Sequence, residues 1–241
     1  MRTARPGKII GVGRNYVEHA TELGNTVPKQ PLLFLKPPSA VIGDGEAIVL
    51  PPESGQVEYE GEIGVVIGRS LRRATEAQAR AAIAGITCVN DVTARDLQRS
   101  EELWTRAKGF DTFCPVGPRV VPVDPARLTE LEVRCRVNGV ERQHGRARDM
   151  VFGFLALVAY ISQVMTLEPG DLIATGTPSG VGPLHAGDVV EVEIPGVGVL
   201  RNPVVQAAGG CPLTKGQSQP PPARRQFRVR FPAKRHGQTS H

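Results

Sequence analysis

Val57-Glu58-Tyr59-Glu60-Gly61-Glu62-Ile63-Gly64-Val65-Val66-Ile67-Gly68 is the stretch whose reading decides the fold. As a β-strand it alternates faces every residue, so Glu58, Glu60 and Glu62 project from one side. Tyr59, Ile63, Val65 and Ile67 project from the other, which is the face a core needs. Carboxylates stacked on one face repel, and burial raises the cost. No basic residue lies within the segment, so the acidic face is either fully solvated or covered by a hard cation. The next strand-like run, Gly85-Ile86-Thr87-Cys88-Val89-Asn90-Asp91, ends on another carboxylate. Two glutamates from one strand and an aspartate at the end of its neighbour form an all-oxygen set. Such a set suits Mg²⁺ or Mn²⁺ and leaves positions open for water and substrate.

Outward from this pair, the pattern is many short strands joined by Gly- and Pro-rich turns. Lys8–Val12 reads as a strand, Tyr16–Leu23 as about two helical turns closed by Gly24-Asn25, and Leu32–Leu35 as a buried strand. Gly11 and Gly13 do not form a dinucleotide fingerprint, because Tyr16 stands where the third glycine belongs. Thr75-Glu76-Ala77-Gln78 is a capping box opening a helix. Asp91, Arg95 and Gln98 would share one face if Thr93–Arg99 is helical. Leu131–Val137 alternates cleanly, and Asn138-Gly139 signals a type I′ hairpin into Val140–Gln143. Met150–Met165 is the longest apolar segment, expected as a buried helix with Asp149 as N-cap. Strands are expected over Asp171–Thr175, Val189–Ile194 and Val197–Leu200. The fold class is mainly β (α+β), a mixed β-roll or barrel-like sandwich with a few short helices, rather than a doubly wound sheet.

The chain has 241 residues, 40% hydrophobic and 22% charged, and no apolar run near the roughly 18 residues of a membrane span. Its net charge is +5, but residues 203–241 hold seven basic residues and no acid. Without those seven, 22 basic residues face 24 acidic ones, so the body is mildly acidic. Arg146-Ala147-Arg148 and the tail arginines lack interleaved aromatics, so no specific nucleic-acid binding is expected. Residues 1–205 are expected to form the catalytic domain. Residues 206–241, with Pro220-Pro221-Pro222 and clustered arginines, read as a disordered tail. Four scattered cysteines without a C-x-x-C fit reduced thiols in a cytoplasmic protein.

Several motifs, in order, resemble the fumarylacetoacetate hydrolase family, in particular its short, acylpyruvate-hydrolase-like branch. Gly13-Arg14-Asn15-Tyr16-Val17-Glu18-His19 is similar to the family's G-x-N-Y-x-x-H, and Phe34-Leu35-Lys36-Pro37 to its F-x-K-P. Glu60-Gly61-Glu62 resembles the metal-binding E-x-E, and Asp91-Val92-Thr93-Ala94-Arg95-Asp96 the D-x-T-A-R-D. Trp104–Asp111 and Thr175–Gly182 complete the set. The resemblance implies a β-roll, a homodimer, and metal ligands Glu60, Glu62 and Asp91, with Glu58 a solvated neighbour. It also implies a catalytic His19–Glu22 pair on a mobile lid. Glu22 lies three residues after His19, so a helical turn places both on one face, where the carboxylate makes the imidazole a better base. Lys108, in its aromatic-rich motif, is expected to stabilise developing negative charge. Arg95, Gln98, Thr175 and Gly176 are expected to bind substrate. His144 and His185 lie outside every motif.

The implied activity is metal-dependent hydrolysis of a C–C bond in small β-diketo acids. Oxaloacetate decarboxylation or 2-hydroxydienedioate isomerisation uses the same parts, and a non-catalytic β-rich binding protein is the alternative from another class.

Overall fold

A computed structural model describes residues 6–22, 24 and 26–208, and the expected tail from residue 209 onward lies outside them. Seven strands form the main sheet, in the order Leu32–Lys36, Ile9–Gly13, Leu172–Ala174, Gly61–Ile67, Ile83–Asn90, Cys114–Val121, Val41–Ile42. Five more form a second sheet: Val140–Arg146, Glu132–Val137, Val189–Ile194, Gly198–Gln206 and Ile48–Leu50. A small third sheet joins Gly182–Pro183, Val57–Tyr59 and Thr93–Ala94. The architecture is the expected β-roll. The core runs through Ile63, Val65 and Ile67 on one side and Val133, Val192 and Leu200 on the other. The helices Glu76–Ala82 and Phe154–Val164 pack on each other. No helix among the described residues is long and apolar enough to cross a membrane.

Local signals did their work where chemistry is local. Both arms of the Thr75 capping box are present. Asn138 and Gly139 adopt φ of 52° and 78°, the left-handed pair a type I′ turn requires, and Val137 pairs with Val140 across it. The expected helix after Tyr16 spans Val17–Glu22. The last strand, expected over Val197–Leu200, spans Gly198–Gln206 and so passes the expected domain boundary at 205 by one residue.

Four expectations are corrected. The Glu-rich run is not one strand. It breaks at Glu60, with Val57–Tyr59 in the small sheet and Gly61–Ile67 in the large one. Leu32–Lys36 is an edge strand rather than a buried one, and Leu35 is 52% exposed. The long apolar helix starts at Phe154 after Gly153, not after Asp149. The intervening backbone is held elsewhere: Val151 N–H donates to the Asn15 carbonyl (2.8 Å) and Phe152 N–H to Asn15 Oδ1 (2.9 Å). The next helix begins at Arg95, so Asp91 lies outside it and reaches the site from the end of a strand.

Candidate active site

The break at Glu60 builds the site. Glu60 N–H donates to Asn90 Oδ1 (2.9 Å) and its carbonyl accepts from Asp91 N–H (2.8 Å). These bonds pin the corner of one strand to the end of the next. Glu60, Glu62 and Asp91 thereby each offer a carboxylate oxygen within 4.8 Å of the others, and all three are buried. Buried charges need partners. They come from far along the chain: Lys108 Nζ donates to Glu60 (2.8 Å) and Asp91 (2.5 Å), and Lys36 Nζ to the other Asp91 oxygen (2.5 Å). Arg95 donates through Nη2 to Glu60 (2.6 Å), through Nε to Glu58 (2.7 Å) and through Nη1 to Gln98 Oε1 (2.5 Å).

Glu58 is therefore not the solvated neighbour the resemblance implies. It is 5% exposed and ion-paired with Arg95. Strand alternation put it on the acidic face, and that face turned inward because Arg95 and Lys108, from other elements, cover it.

The carboxylates are not equivalent. Burial pushes Glu60 up, but Lys108 and Arg95 outweigh it and hold the group well below the usual carboxylate range. Burial also pushes Glu62 up, and the negative charges of Asp91 and Glu60 push it further, so it stands well above that range. Among the described residues its one hydrogen bond is from Gly176 N–H (2.8 Å). Burial lowers Lys108, yet Asp91 and Glu60 more than reverse this and keep the ammonium charged. A cluster of three hard oxygen donors, one of which makes no ion pair among the described residues, fits a divalent cation.

Facing the cluster, the helix Val17–Glu22 carries His19, 4% exposed, with Nδ1 3.2 Å from Glu22 Oε2. Glu22 also accepts from Gly180 N–H (3.0 and 3.2 Å), and the Gly180 carbonyl accepts from the Tyr59 hydroxyl (2.9 Å). The pair is thus braced from below by a loop of the Thr175–Gly182 motif.

A cavity of about 420 Å³ brings together His19, Glu22, the three-carboxylate cluster, Arg95, Gln98 and Lys108. Phe34 and Trp104, 5.5 Å apart edge to face, form an apolar wall, with Lys108 Nζ 4.9 Å from the Phe34 ring centre. Thr175 and Gly176, expected to bind substrate, do not line the cavity. Thr175 N–H and hydroxyl both donate to the Ile63 carbonyl (3.3 and 2.7 Å), and Gly176 N–H is spent on Glu62. Thr177 lines the wall instead. Sequence reasoning also missed Lys36, although its F-x-K-P motif flagged the position, and the cavity residues Arg14 and Arg99. His144 pairs with Glu132 (3.1 Å) in the second sheet, and His185 is exposed.

A β-roll closed around a buried carboxylate cluster, with a His–Glu pair set opposite, defines a class of acidic-centre proteins with a cation-lined cavity. The family model described as fumarylacetoacetate (FAA) hydrolase C-terminal matches residues 8–205, and the chain belongs to that family. Its relatives include enzymes. Human mitochondrial oxaloacetate tautomerase is 44% identical over 211 residues, covering 83% of this chain and 67% of its own. The crystal structure of a 5-carboxymethyl-2-hydroxymuconate delta-isomerase from Mycobacterium smegmatis superposes with a TM-score of 0.78 at 45% identity, covering 85% of this chain and 81% of that one. A 2-hydroxyhepta-2,4-diene-1,7-dioate isomerase from Mycobacterium marinum gives 0.77 at 48% identity, covering 85% and 77%.

Proposed function

We propose that the chain is an enzyme that moves a proton on small 2-oxo acids, interconverting keto and enol or hydroxydiene forms. The observation that carries this is the braced His19–Glu22 pair facing the three-carboxylate cluster across one cavity. Glu60, Glu62 and Asp91 would hold Mg²⁺ or Mn²⁺, which when bound supplies Lewis-acid polarisation of a carbonyl. With Nδ1–H donating a hydrogen bond to Glu22, the other imidazole nitrogen is left to take a proton from the carbon next to the carbonyl. Gly180 N–H keeps Glu22 in place during that transfer. Lys108, charged and buried, offers a donor to negative charge developing on oxygen. Gln98 Oε1 is taken by Arg95, which leaves its amide N–H groups for a substrate oxygen. The names of the relatives, tautomerase and isomerases, support proton transfer over bond cleavage.

Hydrolysis of a C–C bond in acylpyruvate-type acids is the second reading. The same His19–Glu22 pair favours it, because a general base of this kind can take a proton from water.

The test is a comparison of initial rates with enol-oxaloacetate, a 2-hydroxydienedioate and acetylpyruvate, each with Mg²⁺ and with Mn²⁺. Tautomerisation or isomerisation should exceed hydrolysis, and His19→Ala should lower it by roughly 10²–10⁴-fold with metal affinity retained. Faster release of acetate from acetylpyruvate would move the assignment to the hydrolase. No turnover of any of the three, at one metal ion per chain, would sink both.

A further inference from the structure

The five-stranded sheet ends on the strand Val140–Arg146, whose residues Arg142 and His144 are exposed. Glutamine is also mostly an exposed residue, yet Gln143 between them is only 2% exposed. The strand and the loop after Thr175 lie close together at this point. A Cβ on Gly145 would sit 2.6 Å from the Pro178 Cβ, and one on Gly180 would sit 2.0 Å from the Arg142 carbonyl oxygen.

Inside the protein, Gln143 uses its whole amide. Oε1 accepts from Gly61 N–H (2.9 Å), and Nε2 donates to Thr177 Oγ1 (2.8 Å) and to the Pro178 carbonyl (2.8 Å). The Thr177 hydroxyl donates in turn to the Gly61 carbonyl (3.0 Å), which closes a ring through Gly61, Gln143 and Thr177. Buried amides are ordinarily bonded simply to satisfy the fold, but the partners of this one are particular. Gly61 is the residue between Glu60 and Glu62. Thr177 and Pro178 lead into Gly180, whose N–H holds Glu22. From a third element, Gln143 therefore bonds both the turn that carries the carboxylates and the loop that braces the His–Glu pair.

We infer that Gln143 is a positioning residue, which fixes the placement of the His19–Glu22 pair relative to the three-carboxylate cluster. This rests on the reading of those two groups as one proton-transfer site. Gln143 does not itself line the cavity. Its route runs through Thr177 and Pro178 to Gly180 N–H, then to Glu22, and from Glu22 to His19 Nδ1. A misplacement of about 1 Å by a change remote from the chemistry can cost about 10²-fold in rate, so a tether of this kind has leverage on turnover.

The test is Gln143→Met, which keeps the length of the side chain and removes its hydrogen bonds. Amide hydrogen exchange is followed by NMR on the full chain in Mg²⁺ buffer. The Gly61 and Gly180 amides should exchange about tenfold faster or more than in wild type. Those of Val65 and Ile86, paired in the main sheet, should keep their rates. At saturating Mg²⁺, kcat for oxaloacetate tautomerisation should fall about 10–100-fold with KM nearly unchanged. In a Glu22→Gln background the same change should cost little more, because its route through Glu22 is already broken; a purely structural residue would cost as much in both backgrounds. Should Gln143→Met not fold, Gln143→Asn gives the exchange reading, since it keeps an amide but is one methylene too short to span the two segments. Unchanged Gly180 exchange, faster exchange spread evenly over the main sheet, or equal loss of kcat with and without Glu22 would overturn the assignment. If wild type turns over no 2-oxo acid, the proton-transfer reading falls, and Gly180 exchange still decides whether Gln143 holds the loop.

Discussion

Glu62→Gln should stabilise the metal-free protein while destroying its response to metal. Glu62 is 2% exposed, accepts a hydrogen bond from Gly176 N–H, and faces Asp91 and Glu60. Its folded-state ionisation lies well above that of an unfolded glutamate, so the group favours folding at low pH. That contribution is lost as pH rises from the unfolded value through the folded one. Near pH 8 the chain therefore carries a strained charge or a proton it would otherwise release, and a buried group left without its full set of partners typically costs about 1–3 kcal/mol. Glutamine keeps a carbonyl oxygen for Gly176 N–H and turns an amide N–H toward the remaining carboxylates. For a domain near 200 residues, about 1 kcal/mol shifts Tm by roughly 2–4 °C. In EDTA at pH 8 the variant should melt about 2–12 °C above wild type, and the gap should shrink at pH 5. Saturating Mg²⁺ or Mn²⁺ should reverse the order, since ligand at about 100 times Kd contributes about 2.7 kcal/mol to wild type. Calorimetric scans with and without metal at the two pH values read all of this. A variant that melts below wild type in EDTA at pH 8 would refute the claim that Glu62 is the uncompensated carboxylate.

Glu58→Gln should leave one metal ion per chain, because Glu58 is outside the cluster, yet lower stability by about 3 kcal/mol by leaving Arg95 half-paired; urea melts and metal titration separate the two effects. Gly180→Ala forces a side chain at φ of 96°, where its Cβ would lie 2.0 Å from the Arg142 carbonyl oxygen. The loop must shift, Glu22 loses its N–H donor, and kcat should drop more than metal affinity does. Burial pushes the Cys88 and Cys114 thiols up to about 12 and Cys135 higher still. A thiol reagent at pH 8 followed by peptide mapping should label these three only after unfolding, and labelling of any of them in the native protein would contradict their burial.

How much of the site was legible depends on how far apart its parts lie in sequence. The His19–Glu22 pair is a one-turn relation on a short helix, so spacing alone brings the side chains together, and the structure places Nδ1 and Oε2 at 3.2 Å. The three-carboxylate cluster needed one strand and its neighbour, again a local relation, since the strand Gly61–Ile67 pairs directly with Ile83–Asn90. Lys36 was invisible as a partner of Asp91, because 55 residues separate them and nothing in either segment announces the contact. Thr175 and Gly176 were expected to face substrate because they open a motif at a strand end, where backbone groups can approach a carboxylate. That their N–H groups are used inside the protein follows from the pairing of their strand with Gly61–Ile67, which no motif encodes.

By itself, the sequence determined the period-two strands, the turns at Asn138-Gly139, the capping box at Thr75 and the identity of the acidic residues. Each is a property of neighbouring residues, set by backbone sterics and side-chain alternation. Only the tertiary structure decided what became of the acidic face. An isolated strand with Glu58, Glu60 and Glu62 on one side would keep that side in water. The fold instead covers it with Arg95 and Lys108, each from a helix, while Lys36 from the end of a strand pairs with Asp91, and so converts a solvated stripe into a buried, nearly balanced ionic centre with Glu62 left over. Electrostatic pairing of buried groups acts across space rather than along the chain, and for that reason the charge balance of the site became visible only once the chain was folded.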